Sequence, residues 1–480
     1  MNKIQASNPF FEIYSTPHGT VPFNLIKTEH YAPAIHEGIR RQNGEIDAII
    51  NNPDAPTFEN TIVPYEKSGE LLHRVNTVFG NLLSAETDDE LQELAREIMP
   101  LMSEHENNIS LNEKLFARIK TVYELADKAK LTPEQSKLLE DIYTGFVRNG
   151  ANLQGDAKEQ YRNLCKELSL LTLQFSENTL KETNDYRLVL TEKSQLSGLP
   201  ESAIDAAAET AQEKGVEGWV FTLHAPSYSP FMTYADNRDL RRELYMAYNT
   251  KCTHDNACNN LEIVKKIANI HMEIARLLGY DNFAEYNLKE RMAQNSDTVY
   301  KLLNQLLEAY TPTAQKEYDE VQALARSEEG ADFILMPWDW SYYSQKLKDR
   351  KFSINDEMLR PYFELSKVKE GIFGLASKLY GITFKKNADI PVYHKDVEAY
   401  EVFDKDGTYL AVLYTDFHPR TGKRSGAWMT SYKGQWIDEA SGENSRPHVS
   451  IVMNFTKPTQ NTPAPVSYTH LRAHETDQYL

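Results

Sequence analysis

Apolar residues recur at three- and four-residue spacing through most of this chain, a period that allows little but packed amphipathic helices. Tyr161, Leu164, Leu168, Leu171 and Phe175 form one stripe, and Tyr65, Leu72, Val75, Phe79 and Leu82 a second. Ile263, Ile267, Ile270, Ile274 and Leu277 form a third, followed by Gly279, which suits the left-handed residue that closes a helix. A fourth runs through Val368, Ile372, Leu375 and Leu379 and stops at Gly381. Asn237 stands where a side-chain oxygen caps the helix carrying Leu240 and Leu244. No fixed repeat period points to a solenoid.

The period changes after Pro391. Residues 397–403 and 409–417 are rich in β-branched and aromatic side chains, with the turn sequence Asp404-Lys405-Asp406-Gly407 between them. Two further strand-like runs cover 427–432 and 449–455. The expectation is a mainly α protein with a small antiparallel β-sheet near residues 397–455. Loop-forming residues cluster at Ala225-Pro226-Ser227-Tyr228-Ser229-Pro230 ahead of a new helix, which suggests a boundary there. An N-terminal helical region then spans 1–225 and a second region 226–465.

At 480 residues the chain can bury a sizeable core. With 52 basic and 70 acidic residues its net charge is −18, which argues against a nucleic-acid-binding face and against anionic membranes. Three cysteines, Cys165, Cys252 and Cys258, make no disulfide framework and fit a reducing, cytosolic compartment. Residues 1–9 lack the apolar core of a signal peptide, and no stretch has the length and apolarity of a membrane span.

Several clusters carry candidate chemistry. Cys252, His254 and Cys258 can be read as three soft ligands, but no fourth lies at structural-zinc spacing, so reduced thiols in a loop are expected. His271 lies on a helical stripe and reads as a core or groove histidine. Residues 336–343, Met-Pro-Trp-Asp-Trp-Ser-Tyr-Tyr, read as an aromatic cluster opening a helix, with Pro337 suited to the first turn and Asp339 to the helix dipole. A core anchor is favoured there over a ligand-facing wall.

The richest segment is 414–428. A strand ends in a basic, Gly-containing loop and re-enters a strand at small residues. Asp416 can pair with Arg420 or Arg424 and fix the loop. Ser425, Gly426 and Ala427 are small enough for another backbone to approach closely. An edge strand that takes an extended peptide by main-chain hydrogen bonds stands level here with a hairpin crossing held by a surface ion pair.

Near the terminus, His470 and His474 would share a helix face, but Leu471 occupies the place where a zinc-peptidase helix needs Glu as general base. Residues 466–476 resemble one reading frame of a transposase adapter used in sequencing-library preparation. Native sequence is therefore expected to end near Ala464 or Pro465, with 466–480 a non-native tail.

Tyr414-x-Asp416, followed by Arg420-x-Gly422-Lys423-Arg424-x-Gly426-Ala427-Trp428, resembles the segment upstream of the active site in the thimet oligopeptidase family of zinc metallopeptidases. Trp338-Asp339-Trp340 with Tyr342-Tyr343, Leu359-Arg360-Pro361-Tyr362-Phe363, Leu379-Tyr380-Gly381-Ile382, and Asn454-Phe455-Thr456-Lys457-Pro458 follow in the family's order. Asn8-Pro9-Phe10-Phe11 and Pro56-Thr57-Phe58-Glu59-Asn60-Thr61 resemble its bacterial peptidyl-dipeptidase branch, so the likeness runs from Asn8 to Ala464.

The resemblance implies a two-lobed helical ellipsoid with a deep channel. It implies zinc on a His-Glu-x-x-His helix, dipeptide release from short peptides and, at full length, a monomer. It also implies that Ser425, Gly426 and Ala427 pair with the substrate backbone. The sequence has no His-Glu-x-x-His, so the expectation is an inactive chain without catalytic helices or catalytic zinc. The rivals are an oligopeptidase cutting internally in short peptides, a non-catalytic peptide-binding protein, and a helical scaffold.

Overall fold

The computed structural model describes residues 8–127, 130–353, 356–438 and 441–458. His470, His474 and the rest of the segment expected to be non-native lie outside the described residues. The protein is mainly α, as its periodicity implies. The first stripe lies on the helix Asp156–Asp185 and the third on Leu261–Leu277, and the two face each other. Tyr161, Leu164 and Leu171 pack there against Ile263, Ile270 and Ile274. Gly279 closes the second of these helices as expected, at φ 84°. Its N–H bonds Arg276 O at 3.0 Å and the N–H of Tyr280 bonds Ala275 O at 2.9 Å, the paired bonds of a Schellman motif.

The second stripe is not one helix. Tyr65 belongs to Val63–Lys67, and Leu72, Val75 and Phe79 belong to Glu70–Ala85. Gly69 breaks them apart at φ 75°, where a Cβ would stand 2.4 Å from the Gln42 amide nitrogen. Its N–H is taken instead by the Glu45 carboxylate at 2.7 Å. The segment at 225–230 also differs from its reading. It is not a loop but most of the helix Ala225–Tyr234. Pro226 sits in the first turn, where no N–H partner is required. Asn237 caps Arg238–Asn249 as expected, accepting from the N–H groups of Asp239 and Leu240.

Among the described residues nine strands form three sheets. β1 (Leu188–Leu190) pairs with β2 (Trp219–Phe221), and β7 (Trp436–Ile437) with β8 (Asn444–Ser445). The main sheet holds β3 (Thr383–Lys386), β4 (Val397–Phe403), β5 (Tyr409–Asp416), β6 (Trp428–Lys433) and β9 (His448–Val452) in the order β3-β4-β5-β9-β6. β4 and β5 form the expected hairpin, closed by Gly407 at φ 85°.

The sheet is mixed rather than antiparallel, because β9 runs parallel to β5. The loop 417–427 carries β6 past the neighbouring position, two strand spacings or about 9.6 Å from β5. β9 then fills the gap, antiparallel to β6. One face of the sheet buries Val397, Ala399, Val412, Tyr414 and Tyr432 in a shared core with Leu72, Val75 and Phe79.

The fourth stripe lies on the helix Leu365–Tyr380, closed by Gly381 at φ 76°. Its apolar face is largely uncovered: Ile372, Leu375 and Leu379 are all more than half exposed. Leu302, Leu303, Leu307 and Tyr310 on Ser296–Glu329 are exposed as well. Contiguous apolar surface of this kind drives association. Replacing Ile372, Leu375 and Leu379 together by Lys, Glu and Lys should reduce self-association of the chain in light scattering. It should change unfolding free energy by no more than about 0.5 kcal/mol per site. Unchanged association, or a collapse of the thermal transition, would show that this face is packed in solution.

Candidate functional site

The site is built at the end of β5. The Asp416 carboxylate is fully buried, and an isolated charge there would be strongly disfavoured. Four donor contacts compensate it. Arg420 gives a bidentate pair, Nη1 to Oδ1 at 2.8 Å and Nη2 to Oδ2 at 2.7 Å. Lys423 Nζ donates to Oδ1 at 2.8 Å and the Tyr393 hydroxyl to Oδ2 at 2.8 Å. Burial works against the Asp416 charge, but the Arg420 hydrogen bonds and the Lys423 and Arg420 charges outweigh it and hold the carboxyl below its ordinary range. Lys423 Nζ also donates to three main-chain oxygens, of Asp416, His418 and Met453. The Asp416–Arg420 pair anticipated from the sequence is thus present, and Arg424 is not its partner. Arg424 instead lies over the Trp428 ring, 4.4 Å from its centroid.

This network fixes the loop to the N-terminal region. Arg420 also pairs with Glu86 and donates to Ala85 O. Thr87 N–H bonds Gly422 O at 2.8 Å, and Arg424 N–H bonds Ser84 O at 2.9 Å. The backbones touch at Gly422, where a Cβ would fall 2.3 Å from Thr87 O. Close approach was expected at Ser425, Gly426 and Ala427. At Gly426 a Cβ would meet nothing within 4 Å, and the glycine is needed instead for its φ of 103°.

Ser425, Gly426 and Ala427 are exposed and form the bend just before β6 rather than part of a strand. They lead into one edge of the sheet, since β6 and β3 are its two outermost strands. Asn81, buried on Glu70–Ala85, holds β6 from beneath. Its side chain accepts from Thr430 Oγ1 at 3.0 Å and Trp428 Nε1 at 3.4 Å, and donates to the Tyr432 hydroxyl at 2.6 Å. Tyr393 and Asn81 were not singled out in the sequence, and Lys423 appeared there only within the matched motif and the basic loop, with no role of its own. Nothing local marks Asn81, 349 residues from Thr430.

On the other face of the sheet a cavity of about 940 Å³ opens beside the start of Leu365–Tyr380, lined in part by Lys369, Glu398, Thr415, Phe417 and His418. Burial opposes the Glu398 charge, but hydrogen bonds from Lys369, Lys386 and Tyr400 hold its carboxyl down at about 2. Burial lowers the His418 pKa.

The remaining candidates have structural surroundings. Asp339 is fully buried, bound by Arg241 at 2.9 Å and Arg238 at 2.7 Å, and Tyr342 and Tyr343 are buried with it, so this part of 336–343 is a core anchor while Met336 and Trp340 are exposed. His271 stacks on Phe283 at 4.0 Å. Cys252 and Cys258 are buried free thiols, and His254 is exposed beside the Thr250 hydroxyl.

Residues 231–475 match the model of peptidase family M3. The match extends past Val466 into the segment expected to be non-native. Dipeptidyl carboxypeptidase of Escherichia coli (strain K12) is 35% identical over 459 residues, covering 95% of this chain and 67% of that protein. Oligopeptidase A of Salmonella typhimurium (strain LT2) is 33% identical over 462 residues, with the same coverage. Among solved structures, PZ peptidase A with an inhibitor is similar over 91% of this chain and 62% of that one, at a TM-score of 0.46 and 16% identity.

The chain spans about two thirds of the length of the curated relatives it matches. The chain belongs to peptidase family M3, the thimet oligopeptidase family of metallopeptidases. Its described residues do not fit the metal that this membership implies: among them no three His, Cys, Asp or Glu side chains are grouped to hold an ion. No helix among them is long and apolar enough to cross a membrane.

Asp416→Asn should leave two buried cations short of their counter-charge and destabilise the fold by roughly 3 kcal/mol or more. Because the folded-state pKa of Asp416 is depressed, its contribution is fully present above the unfolded value near 3.9 and is lost as pH falls through the folded value. Urea unfolding of wild type and variant should therefore differ by a constant amount from pH 7 to about 4 and converge below that.

Proposed function

We propose that this chain carries the substrate-strand portion of a zinc-dependent peptidyl-dipeptidase, an enzyme that releases dipeptides from the free C-termini of short peptides. The observation that carries the reading is an outermost strand, β6, preceded by the exposed bend of Ser425, Gly426 and Ala427 and braced by the Asp416 network. An unpaired strand edge binds extended peptides through their main chain, whatever their side chains. The likeness to dipeptidyl carboxypeptidase favours dipeptide release, and the near-equal likeness to oligopeptidase A keeps internal cleavage as the second reading.

In this reading 226–465 is the first part of the catalytic region of a two-lobed, channelled peptidase, a view supported by the family match starting at residue 231. The zinc and its His-Glu-x-x-His helix belong to the longer parent protein, a cytoplasmic monomer acting on short peptides. The 480-residue chain itself is inactive, because its sequence contains no such motif.

A decapeptide incubated with the purified chain and zinc should stay intact by mass spectrometry, with no one-to-one zinc retained after dialysis. The parent protein should shorten the same peptide by two residues at a time from its C-terminus. Internal fragments from the parent would favour the oligopeptidase reading. Cleavage with stoichiometric zinc by the 480-residue chain would overturn the proposed inactivity.

A further inference from the structure

The bend before β6 is held from the side by a residue with no role assigned so far. The Asn454 side-chain amide donates to two carbonyls two residues apart, Gly426 O at 2.8 Å and Arg424 O at 3.1 Å. Asn454 lies two residues beyond the end of β9, the strand that pairs with β6. It continues β9 alongside the bend, although its own contact is made by a side chain. Within one trans peptide unit the C=O and the N–H point in opposite directions. Turning the 424 and 426 carbonyls toward Asn454 therefore directs the N–H groups of Ser425 and Ala427, which belong to the same peptide units, to the other side, and among the described residues neither N–H has a partner. Within β6, an edge strand of the sheet, Met429 and Ser431 follow at period two.

We infer that Asn454 is the positioning residue of the substrate strand: its carboxamide ties back the 424 and 426 carbonyls and so presents Ser425 and Ala427 as the peptide groups that pair with a bound peptide. The inference rests on the substrate-strand reading above and adds which residues make the bonds. Without the tie, Gly426 at φ 103° has little to hold the bend in one conformation. The carbonyls of 424 and 426 could then rotate outward and present acceptors where donors are required. The ligand class is an extended oligopeptide recognised by its backbone, in register with Ser425 and Ala427.

Two measurements on the full 480-residue chain separate this inference from the reading beneath it. The first needs no ligand. Trypsin cleavage of the Arg424–Ser425 bond reports the mobility of the bend. Asn454→Asp, which keeps the shape but loses the donor, and Asn454→Ala should both speed cleavage by about tenfold, with an unchanged melting temperature. The second uses a fluorescein-labelled octapeptide. Wild type should bind it and slow hydrogen exchange at the amides of Ser425 and Ala427, and both variants should bind about tenfold more weakly.

Unchanged trypsin cleavage in both variants overturns the positioning role of Asn454, whatever the peptide does. Faster cleavage with unchanged affinity, or no protection at Ser425 and Ala427 in wild type, overturns the substrate-strand reading while leaving Asn454 as the residue that orders the bend.

Discussion

A single buried carboxylate organises the main sheet. Asp416 sits at the end of β5 with no solvent access, so its charge is tolerated only while Arg420, Lys423 and Tyr393 surround it. Those donors come from 393 and from the chain just beyond β5, and satisfying Asp416 therefore fixes the path of 417–423. Lys423 adds a further constraint by binding the main chain of Met453, which ties the end of β9 to the same point. The order of the sheet follows. With the loop bent around one carboxylate, β6 starts two positions from β5, and β9 fills the gap between them.

The same loop uses a helix end as its anchor. The last carbonyls of a helix lack partners within it and carry partial negative charge. Ser84 and Ala85 end Glu70–Ala85, and their oxygens accept from Arg424 N–H and the Arg420 guanidinium. Arg420 thus spans a helix C-terminus, Glu86 and Asp416 at once. Asn81, one turn back on the same helix, holds the face of β6. The N-terminal region is in this sense part of the site, although the family match covers only residues from 231 onward.

What could be read from the sequence follows from how local each signal is. Helical stripes, the Asn237 cap, the Gly279 and Gly381 closures and the β4–β5 hairpin are decided within a few residues, and each is present. The break at Gly69 was missed because apolar spacing carries across a single left-handed residue, and the φ of 75° that favours glycine there leaves no mark in the spacing. The parallel β5–β9 pair was missed for a related reason. Alternation marks a strand but not its neighbour, and the choice of neighbour was made by the fully buried Lys423. Asp416 was seen as a loop-fixing residue, but its burial could not be. Asn81 is an ordinary asparagine until the fold sets it beside β6, and Asn454, although part of a matched motif, shows its contact with the bend only in the fold.

Amphipathic pattern reports a face that needs covering, which is a different statement from a face that is covered. On Asp156–Asp185 and Leu261–Leu277 the two statements agree, since each stripe meets the other. On Leu365–Tyr380 they part: the stripe is as regular, yet Ile372, Leu375 and Leu379 stay in contact with solvent. Of the roughly 1.5–3 kcal/mol that full burial of such a side chain contributes, about half is then left unrealised at each. The strand edge at β6 is unfinished in a second sense, with main-chain donors and acceptors rather than apolar area left open. The two deficits call for different occupants. An apolar helix face is satisfied by any well-shaped apolar surface, and it discriminates little among them. A row of peptide groups at period two is satisfied only by another extended chain in register. That difference is why the functional reading rests on β6 and its bend and not on the larger exposed area of the helices.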